Sequence, residues 1–307
     1  MDKKLQGRVI KAYNSFFYVR TAADSELLVC KLRGRMKRSR ISLAVLPGDM
    51  VEVGLLPDGT GVIERTLPRQ SVLKRPAVAN VSQLVLTFAA RQPDISDLLL
   101  NRFLVLAEWS HIGHIMICVN KIDLAPQAEE LLQEYAELGY QVIYVSARQG
   151  TGLSELHAAL GGRITVFAGP SGVGKSSLMN ALFGTQLQTG RVSEKIKRGR
   201  HTTRVAELIP YTSPAGTPGY VVDTPGFSAL ELDDIELTGL ADYFPEFRPY
   251  SGHCHFSPCS HIHEPECAIK AAVDAGKISP RRYEIYSVLY NEIKEAQLRL
   301  RKKEYKR

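Results

Sequence analysis

The sequence predicts an α/β domain with a largely parallel sheet, placed between a small β-barrel and a mainly helical C-terminal domain. Strand-like apolar runs alternate with helical patterns over residues 77–232. Short strand patterns separated by Pro/Gly turns fill residues 1–68, and a Cys/His-rich stretch with a long charged helix occupies residues 233–307. Alternating strands and helices are typical of parallel sheets, whereas short strands between regular turns are typical of barrels.

The composition is that of a globular protein with two or three domains. The chain has 307 residues, 44% of them hydrophobic and 23% charged, and a net charge of +7. No signal peptide and no membrane span are expected, because the first residues are polar and no apolar run reaches ~18 residues. The five cysteines are an odd number and three lie within residues 254–267. This distribution favours metal ligation in a reducing cytoplasm over disulfides.

Residues 1–68 are predicted to form an OB-like barrel. Val51, Val53 and Leu55 alternate with polar or small residues, and Phe17 and Val19 flank Tyr18 in the same way. Turn signals recur at residues 47–49 and 57–59. Short strands at this spacing favour a small closed barrel.

A basic run at residues 31–40 lies between two predicted strands of the barrel. It holds six basic residues in ten and no acid. Such a run is compatible with a solvated loop or with RNA phosphates, and aromatic residues at 16–18 add surfaces on which bases could stack. The candidate RNA-binding residues are Lys31, Arg33, Arg35, Lys37, Arg38 and Arg40. Residues 69–76 are predicted to be a linker.

The middle domain is predicted from its alternating pattern. Strands are expected at 81–88, 115–119, 142–145 and 164–167, with helices at 97–109, 129–138 and 153–160 between them. A Pro/Gly-rich connection at 211–220 is expected to join strands at 205–210 and 220–223. Cys30 and Cys118 lie in apolar strand runs and are expected in cores.

A glycine-rich loop follows the strand at 164–167. It has the pattern G-x-x-x-x-G-K-S, and a helical pattern follows it. The flanking strand and helix favour a phosphate-binding loop over a chance glycine-rich turn, because backbone N–H groups at a helix N-terminus bind phosphate oxygens. The predicted contacts to a nucleoside triphosphate are Gly169, Pro170, Ser171, Gly172, Val173, Gly174, Lys175, Ser176 and Ser177.

Two further motifs at strand ends predict that the base is guanine. The first is Asn120-Lys121-Ile122-Asp123, and the second is Ser146-Ala147. The Asp123 carboxylate can accept hydrogen bonds from the ring N–H and the amino group of guanine, whereas adenine would leave an acceptor unpaired. The motifs therefore predict GTP rather than ATP.

The segment Asp223-Thr224-Pro225-Gly226 supplies the remaining phosphate-side groups. Asp223 is expected to hold Mg²⁺ together with Ser176, and the Gly226 N–H to sense the γ-phosphate. Thr202 or Thr203 is expected to be a further Mg²⁺ ligand, and the sequence does not choose between them. Phe227 stands where many GTPases carry a glutamine that orients water, so slow turnover is expected. His201 is the nearest polar candidate for a catalytic role.

The order of the motifs is rotated relative to ordinary GTPases. The base-recognition motifs at 120–123 and 146–147 precede the phosphate loop, which precedes the threonine segment and residues 223–226. A circular permutation keeps the same sheet while moving the chain ends. The sequence therefore predicts a circularly permuted GTPase domain over residues 77–232.

A cysteine-rich segment in the last domain predicts a metal site. Cys254, Cys259, His261 and Cys267 have the spacing C-x₄-C-x-H-x₅-C, which suits tetrahedral Zn²⁺. His253, His255 and His263 are alternatives for the fourth ligand. Four protein ligands would close the coordination shell, so a structural metal is expected. The helix at 280–307 ends in a basic tail.

Taken together, the barrel, the permuted motifs, the apolar residue after 223–226 and the C-x₄-C-x-H-x₅-C pattern resemble the RsgA (YjeQ) family across essentially the whole chain. The resemblance implies a cytoplasmic GTPase that binds the small ribosomal subunit and its 16S rRNA, acts late in subunit maturation and is stimulated by that subunit. It also implies a catalytic role for His201 and zinc at the cysteine cluster. A monomer is expected.

The sequence is also compatible with one other functional class. In a GTP-gated RNA-binding adaptor, the flanking domains would carry the function and hydrolysis would be incidental. An RNA-modifying enzyme has less support, because the sequence shows neither a nucleophile nor a second metal site.

Overall fold

The computed structural model describes residues 4–21, 26–34, 45–74, 76–125, 127–189, 206–223, 232 and 234–304. Within these residues the chain forms two compact units. One comprises Met1–Pro93, Ser110–Leu131 and Gln141–Ser228, and the other comprises Asp94–Trp109, Leu132–Tyr140 and Ala229–Arg307. None of the described helices is both long and apolar enough to cross a membrane.

The predicted N-terminal barrel is confirmed, and its described residues form five strands. They are β1 (Lys4–Tyr13), β2 (Phe16–Thr21), β3 (Leu27–Leu32), β4 (Met50–Leu55) and β5 (Gly61–Thr66). The strands pair in the order β1-β2-β3-β5-β4, and β4 returns to β1 to close the barrel. One side of each strand fills a core that includes Val9, Val19, Cys30, Val53 and Ile63, which is the alternation on which the prediction rests.

The segment predicted to be a linker contains a strand. β6 (Val72–Lys74) pairs with β7 (Ala77–Ala79) in a separate antiparallel ribbon. Arg69 donates from Nε to Asp49 Oδ1 and from Nη2 to Asp49 Oδ2, both at 2.7 Å. The Asp49 side chain is fully buried. The described residues 69–74 and 76–80 are therefore fixed to the barrel through this ion pair and a bond from the Ala79 N–H to the Pro47 carbonyl.

The predicted α/β domain is confirmed, with its parallel strands in the expected places. The elements along this part of the chain are β8 (Gln83–Ala89), α1 (Asp97–Trp109), β9 (His114–Asn120), α2 (Gln133–Glu137), β10 (Gln141–Tyr144), α3 (Leu153–Ala159), β11 (Ile164–Ala168), α4 (Lys175–Thr189), β12 (Glu207–Thr212) and β13 (Pro218–Asp223). Of these, α1 and α2 belong to the second compact unit. The order β10-β9-β8-β11-β13-β12 continues into β1, so barrel and domain share one sheet.

Two local expectations differ from the structure. The helix expected at 129–138 is a 3₁₀ segment, Ala128–Leu132, followed by α2, because the backbone of Leu132 leaves the helical region with φ −130°. The connection expected at 211–220 is shorter, because β12 and β13 extend into it and form an antiparallel hairpin pairing Thr212 with Pro218. Cys118 is fully buried in the core, as expected.

The second unit is built around its own core. It contains α1, the 3₁₀ segments Leu237–Tyr243 and Pro245–Phe247, α5 (Ala268–Asp274) and α6 (Pro280–Glu304). On α6, Tyr286, Leu289 and Ile293 are buried at helical spacing. Arg282 is 2% exposed and pairs with Glu246, at 2.6 Å between Nε and Oε1. Its guanidinium also lies over the Phe244 ring, 4.9 Å from the centroid.

Candidate functional site

The phosphate loop joins β11 to α4, in the context that the sequence predicts. Gly169 has φ +144°, and a Cβ there would lie 2.0 Å from the Thr87 carbonyl oxygen. Gly174 has φ +93°, and a Cβ there would lie 2.4 Å from Asn120 Nδ2. Both positions therefore require glycine, because any side chain would be strained and would displace a neighbour.

Lys175, the first residue of α4, lies beside the loop. Its ammonium donates to the carbonyls of Gly169 at 2.8 Å and Pro170 at 2.6 Å. Burial lowers the pKa of Lys175, and an anion beside the ammonium would offset that desolvation. Ser176 and Ser177 are exposed at the same helix N-terminus. The arrangement gives a cation, two hydroxyls and a helix N-terminus at one place, which suits polyphosphate.

Asn120 connects the phosphate loop to the base-side segment. It ends β9 and is 2% exposed. Its Nδ2 donates to the Val173 carbonyl at 2.9 Å, and its Oδ1 accepts from the Ala147 N–H at 3.0 Å. The motif residue therefore holds together two loops that are far apart in sequence.

Lys121 and Asp123 continue this network. Lys121 has φ +62°, and its ammonium donates to the Gly172 carbonyl at 2.7 Å and to the Gln92 carbonyl. Asp123 Oδ1 accepts from the Ser146 hydroxyl at 2.7 Å. Ile122 is bonded through its N–H to the Val145 carbonyl at 3.3 Å. The structure thus brings residues 120–123, 146–147 and 169–175 into one site.

Gln92 is a member of this site that the sequence reasoning missed. The residue lies just beyond β8, the strand between β9 and β11. Ligands of open α/β sheets bind beyond the carboxyl ends of parallel strands. The position of Gln92 just after a predicted strand was therefore the signal from which its place in the site could have been predicted.

Several predicted site residues are placed only in part. Asp223 is the last residue of β13, and the structure describes its main chain but not its side chain. The other phosphate-side and catalytic candidates, His201, Thr202, Thr203 and Gly226, lie outside the described residues. The same holds for Arg35, Lys37, Arg38 and Arg40 of the basic run.

The two basic residues of this run that the structure describes lie on the barrel. Lys31 Nζ is 5.1 Å from the centroid of the Phe16 ring, which is 37% exposed. Arg33 Nη1 donates to Glu64 Oε1 at 3.0 Å. A cation beside an exposed ring is a surface on which a base could stack.

The predicted metal ligands converge in the second unit. The ligand atoms of Cys254, Cys259, His261 and Cys267 all lie within 4.8 Å of one another. Cys254 Sγ is 3.8 Å from Cys267 Sγ, and His261 Nδ1 is 3.5 Å and 3.4 Å from these two sulfurs. Tetrahedral bonds of about 2.3 Å to sulfur and 2.0 Å to nitrogen imply S···S and N···S separations of about 3.8 and 3.5 Å. The donor set therefore fits one tetrahedral metal ion.

The structure favours His261 over the alternative histidines. Its side chain is buried, whereas those of His253, His255 and His263 are exposed. The main chain at His261 has φ +61°, and its carbonyl accepts from the Tyr283 hydroxyl at 2.7 Å. This bond anchors the ligand loop to α6.

Comparisons with known proteins identify the family of this chain. The family model described as RsgA GTPase matches residues 66–233, and the one described as RsgA N-terminal domain matches residues 6–63. The chain belongs to the RsgA GTPase family. Its resemblance to that family is therefore confirmed.

Relatives with this family name match along nearly their whole length. The small ribosomal subunit biogenesis GTPase RsgA of Caldanaerobacter subterraneus subsp. tengcongensis is 41% identical over 300 residues, covering 97% of this chain and 98% of that protein. The protein of the same name from Moorella thermoacetica is 45% identical over 291 residues, covering 94% and 97%.

Solved structures show the same fold. The crystal structure of YjeQ from Thermotoga maritima has a TM-score of 0.79 at 36% identity, covering 95% of this chain and 99% of that one. YloQ, described as a circularly permuted GTPase, has a TM-score of 0.76 at 37% identity, covering 95% and 96%. The predicted circular permutation is confirmed: the base-side strands β9 and β10 precede the phosphate-loop strand β11 in sequence.

Proposed function

We propose that this chain is a GTP hydrolase that binds the small ribosomal subunit, acts late in its maturation, and is released by hydrolysis that the subunit stimulates. The observation that carries the proposal is the Asn120 network, which joins the base-side and phosphate-side motifs in the arrangement of a guanine-nucleotide site. The relatives named as small ribosomal subunit biogenesis GTPases support the choice of partner. Small subunits mature in the cytoplasm, so we place the chain there.

The most direct test is GTP turnover with and without purified small subunits. Addition of small subunits should raise multiple-turnover hydrolysis, and large subunits serve as the control. If the rate with small subunits equalled the rate without them, the proposal would be contradicted and a GTP-gated adaptor would be favoured.

Guanine selection is assigned to Asp123. Its carboxylate is oriented by the Ser146 hydroxyl, and guanine offers it two N–H donors. Asp123→Asn should therefore weaken GTP binding and improve xanthosine triphosphate binding, because xanthine carries a carbonyl where guanine has its amino group. Asp274→Asn, at an exposed position of the second unit, is the control. Equal affinity of the parent for ATP and GTP would contradict the assignment.

Mg²⁺ is the expected companion of the bound GTP. Ser176, Asp223 and either Thr202 or Thr203 are the proposed ligands, and the ion would neutralise phosphate charge during transfer. Lys175 and the loop N–H groups of residues 169–174 would orient the phosphates. Gly226 is assigned to the γ-phosphate.

His201 is the proposed catalytic residue. Phe227 cannot position a water molecule, so the unstimulated rate should be low. A positioned acid–base group typically contributes about 10²–10⁴-fold. His201→Ala should therefore remove most of the subunit-stimulated rate while GTP affinity stays near that of the parent. A stimulated rate equal to the parent's would assign catalysis to another group.

Zinc is the metal that we assign to the Cys254, Cys259, His261 and Cys267 site. Three thiolates and an imidazole at tetrahedral spacing suit Zn²⁺, and four protein ligands leave no position for substrate. The ion would therefore stabilise the fold of the second unit. Its identity can be measured by elemental analysis of protein purified without chelator.

The barrel is the proposed contact for 16S rRNA. Lys31, Arg33 and the run that continues through Arg35, Lys37, Arg38 and Arg40 would bind phosphates, and Phe16 could stack on a base. Each phosphate contact that is lost should flatten the logarithmic salt dependence of subunit binding by about 0.7–0.9. We expect the chain to act as a monomer.

A further inference from the structure

Strand β1 belongs to the barrel and also pairs with the sheet of the GTP site. Lys11 of β1 is the backbone partner of Glu207, the first residue of β12. A bulge in the β1–β2 pairing lies between Val9 and Lys11, and both Val9 and Ile10 are buried. A bulge bends a strand and redirects the side chains that follow it. Beyond the bulge β1 stays paired with β2, while its other edge changes partner from β4, which pairs with residues 4–8, to β12, which pairs with Lys11.

The Lys11 side chain also contacts both parts. Its ammonium lies 3.6 Å from Glu207 Oε1 and 4.7 Å from the centroid of the Tyr18 ring on β2. The Lys11 and Glu207 side chains are 34% and 32% exposed. One cation is therefore shared between a carboxylate on the GTP-site sheet and a ring on the outside of the barrel.

A second cation of β1 contacts the neighbouring strand. Arg8 Cζ lies 5.9 Å from the centroid of the Tyr220 ring on β13, and Arg8 Nη1 donates to the Gly48 carbonyl of the barrel at 2.9 Å. Burial lowers the pKa of Arg8. Strand β13 ends at Asp223, a proposed Mg²⁺ ligand. Strand β1 thus contacts β12 through Lys11 and β13, the neighbour of the phosphate-loop strand β11, through Arg8.

We propose that Lys11 is a positioning residue that couples ligand binding on the barrel to GTP hydrolysis, through its contact with Glu207. The inference rests on the proposed function, because the ligand would be RNA of the small subunit. A phosphate near Tyr18 would bind the Lys11 ammonium, and because that ammonium also holds Glu207, the ion pair would transmit the position of the ligand to the start of β12. A partly exposed ion pair contributes little to the stability of the fold, so Lys11 and Glu207 can be substituted without unfolding the barrel.

The test is a double-mutant cycle on subunit-stimulated GTP hydrolysis. Lys11→Met and Glu207→Gln should each lower the stimulated kcat by about two- to fivefold, the range expected for a partly exposed pair. The unstimulated kcat and the KM for GTP should stay unchanged. The double variant should be no slower than either single variant, because both changes remove the same contact. Lys11→Arg should keep most of the stimulation.

Controls separate the possible failures. Lys4→Met removes another ion pair of β1, with Glu64 at 3.3 Å, and should leave the stimulated kcat unchanged. A parent-like rate for Glu207→Gln, or effects that multiply in the double variant, would overturn the coupling while leaving the proposed function intact. A parent that shows no stimulation by small subunits would instead overturn the proposed function, and the coupling with it.

Discussion

Asn120→Ala should weaken both the fold of the nucleotide site and its affinity for GTP. The amide makes two hydrogen bonds, at 2.9 Å to the Val173 carbonyl and at 3.0 Å from the Ala147 N–H. Each bond is worth about 0.5–1.5 kcal/mol, and a buried group left unpaired costs about 1–3 kcal/mol. Since Asn120 is buried, we expect the free energy of unfolding to fall by about 2–4 kcal/mol.

The affinity for GTP should fall about tenfold or more, because a loss of 1.4 kcal/mol in preorganised loops is a factor of ten. Urea unfolding and titration with a fluorescent GTP analogue measure the two effects. Asn180→Ala, at an exposed position of α4, is the control and should change neither. If Asn120→Ala matched the parent in both measurements, the amide would not hold the two loops together.

Three further outcomes are expected. Asp49→Ala should lower the free energy of unfolding by about 3–5 kcal/mol, since it leaves Arg69 without its buried carboxylate. Urea unfolding measures this change, and Glu295→Ala, which removes an exposed ion pair, is the control. Cys254→Ser should remove the bound metal and unfold its loop while GTP affinity is kept; metal retained at one ion per chain would contradict the site. His157 has a pKa lowered by burial, so the unfolded state binds more protons and stability should fall as pH drops below about 6.5. His157→Leu should remove this part of the pH dependence. If the free energies of unfolding of the parent and the variant changed with pH in parallel, His157 would not be the group responsible.

The sequence was sufficient for the local parts of the GTP site and the metal site. The phosphate loop lies between a predicted strand and a predicted helix, and the four metal ligands lie within fourteen residues, from Cys254 to Cys267. In such segments the spacing along the chain nearly determines the spacing in the structure. The spacing predicts His261 as the fourth ligand but leaves the neighbouring histidines open as alternatives, because burial decides between them and spacing does not reveal burial.

Contacts between distant segments could not be read from spacing. The bond from Lys121 to the Gln92 carbonyl, and the pair that fixes Arg69 to Asp49, join residues 29 and 20 positions apart. The pattern of residues 97–109 predicts a helix that is apolar on most faces, but it does not identify which unit covers that helix. The predicted domain boundaries accordingly place α1 with the GTPase sheet, whereas its compact unit is the second one.

This membership of α1 limits how the chain can be divided experimentally. A fragment beginning at residue 233 would contain the metal ligands, α5 and α6, but not α1 or Leu132–Tyr140. Val105 would be missing from the core, and Arg282 would lose Asn101 and the ring of Tyr135. Such a fragment should be insoluble or molten. The second unit is therefore not a transferable module: grafting it onto another GTPase would require exchanging three separate stretches of chain at once.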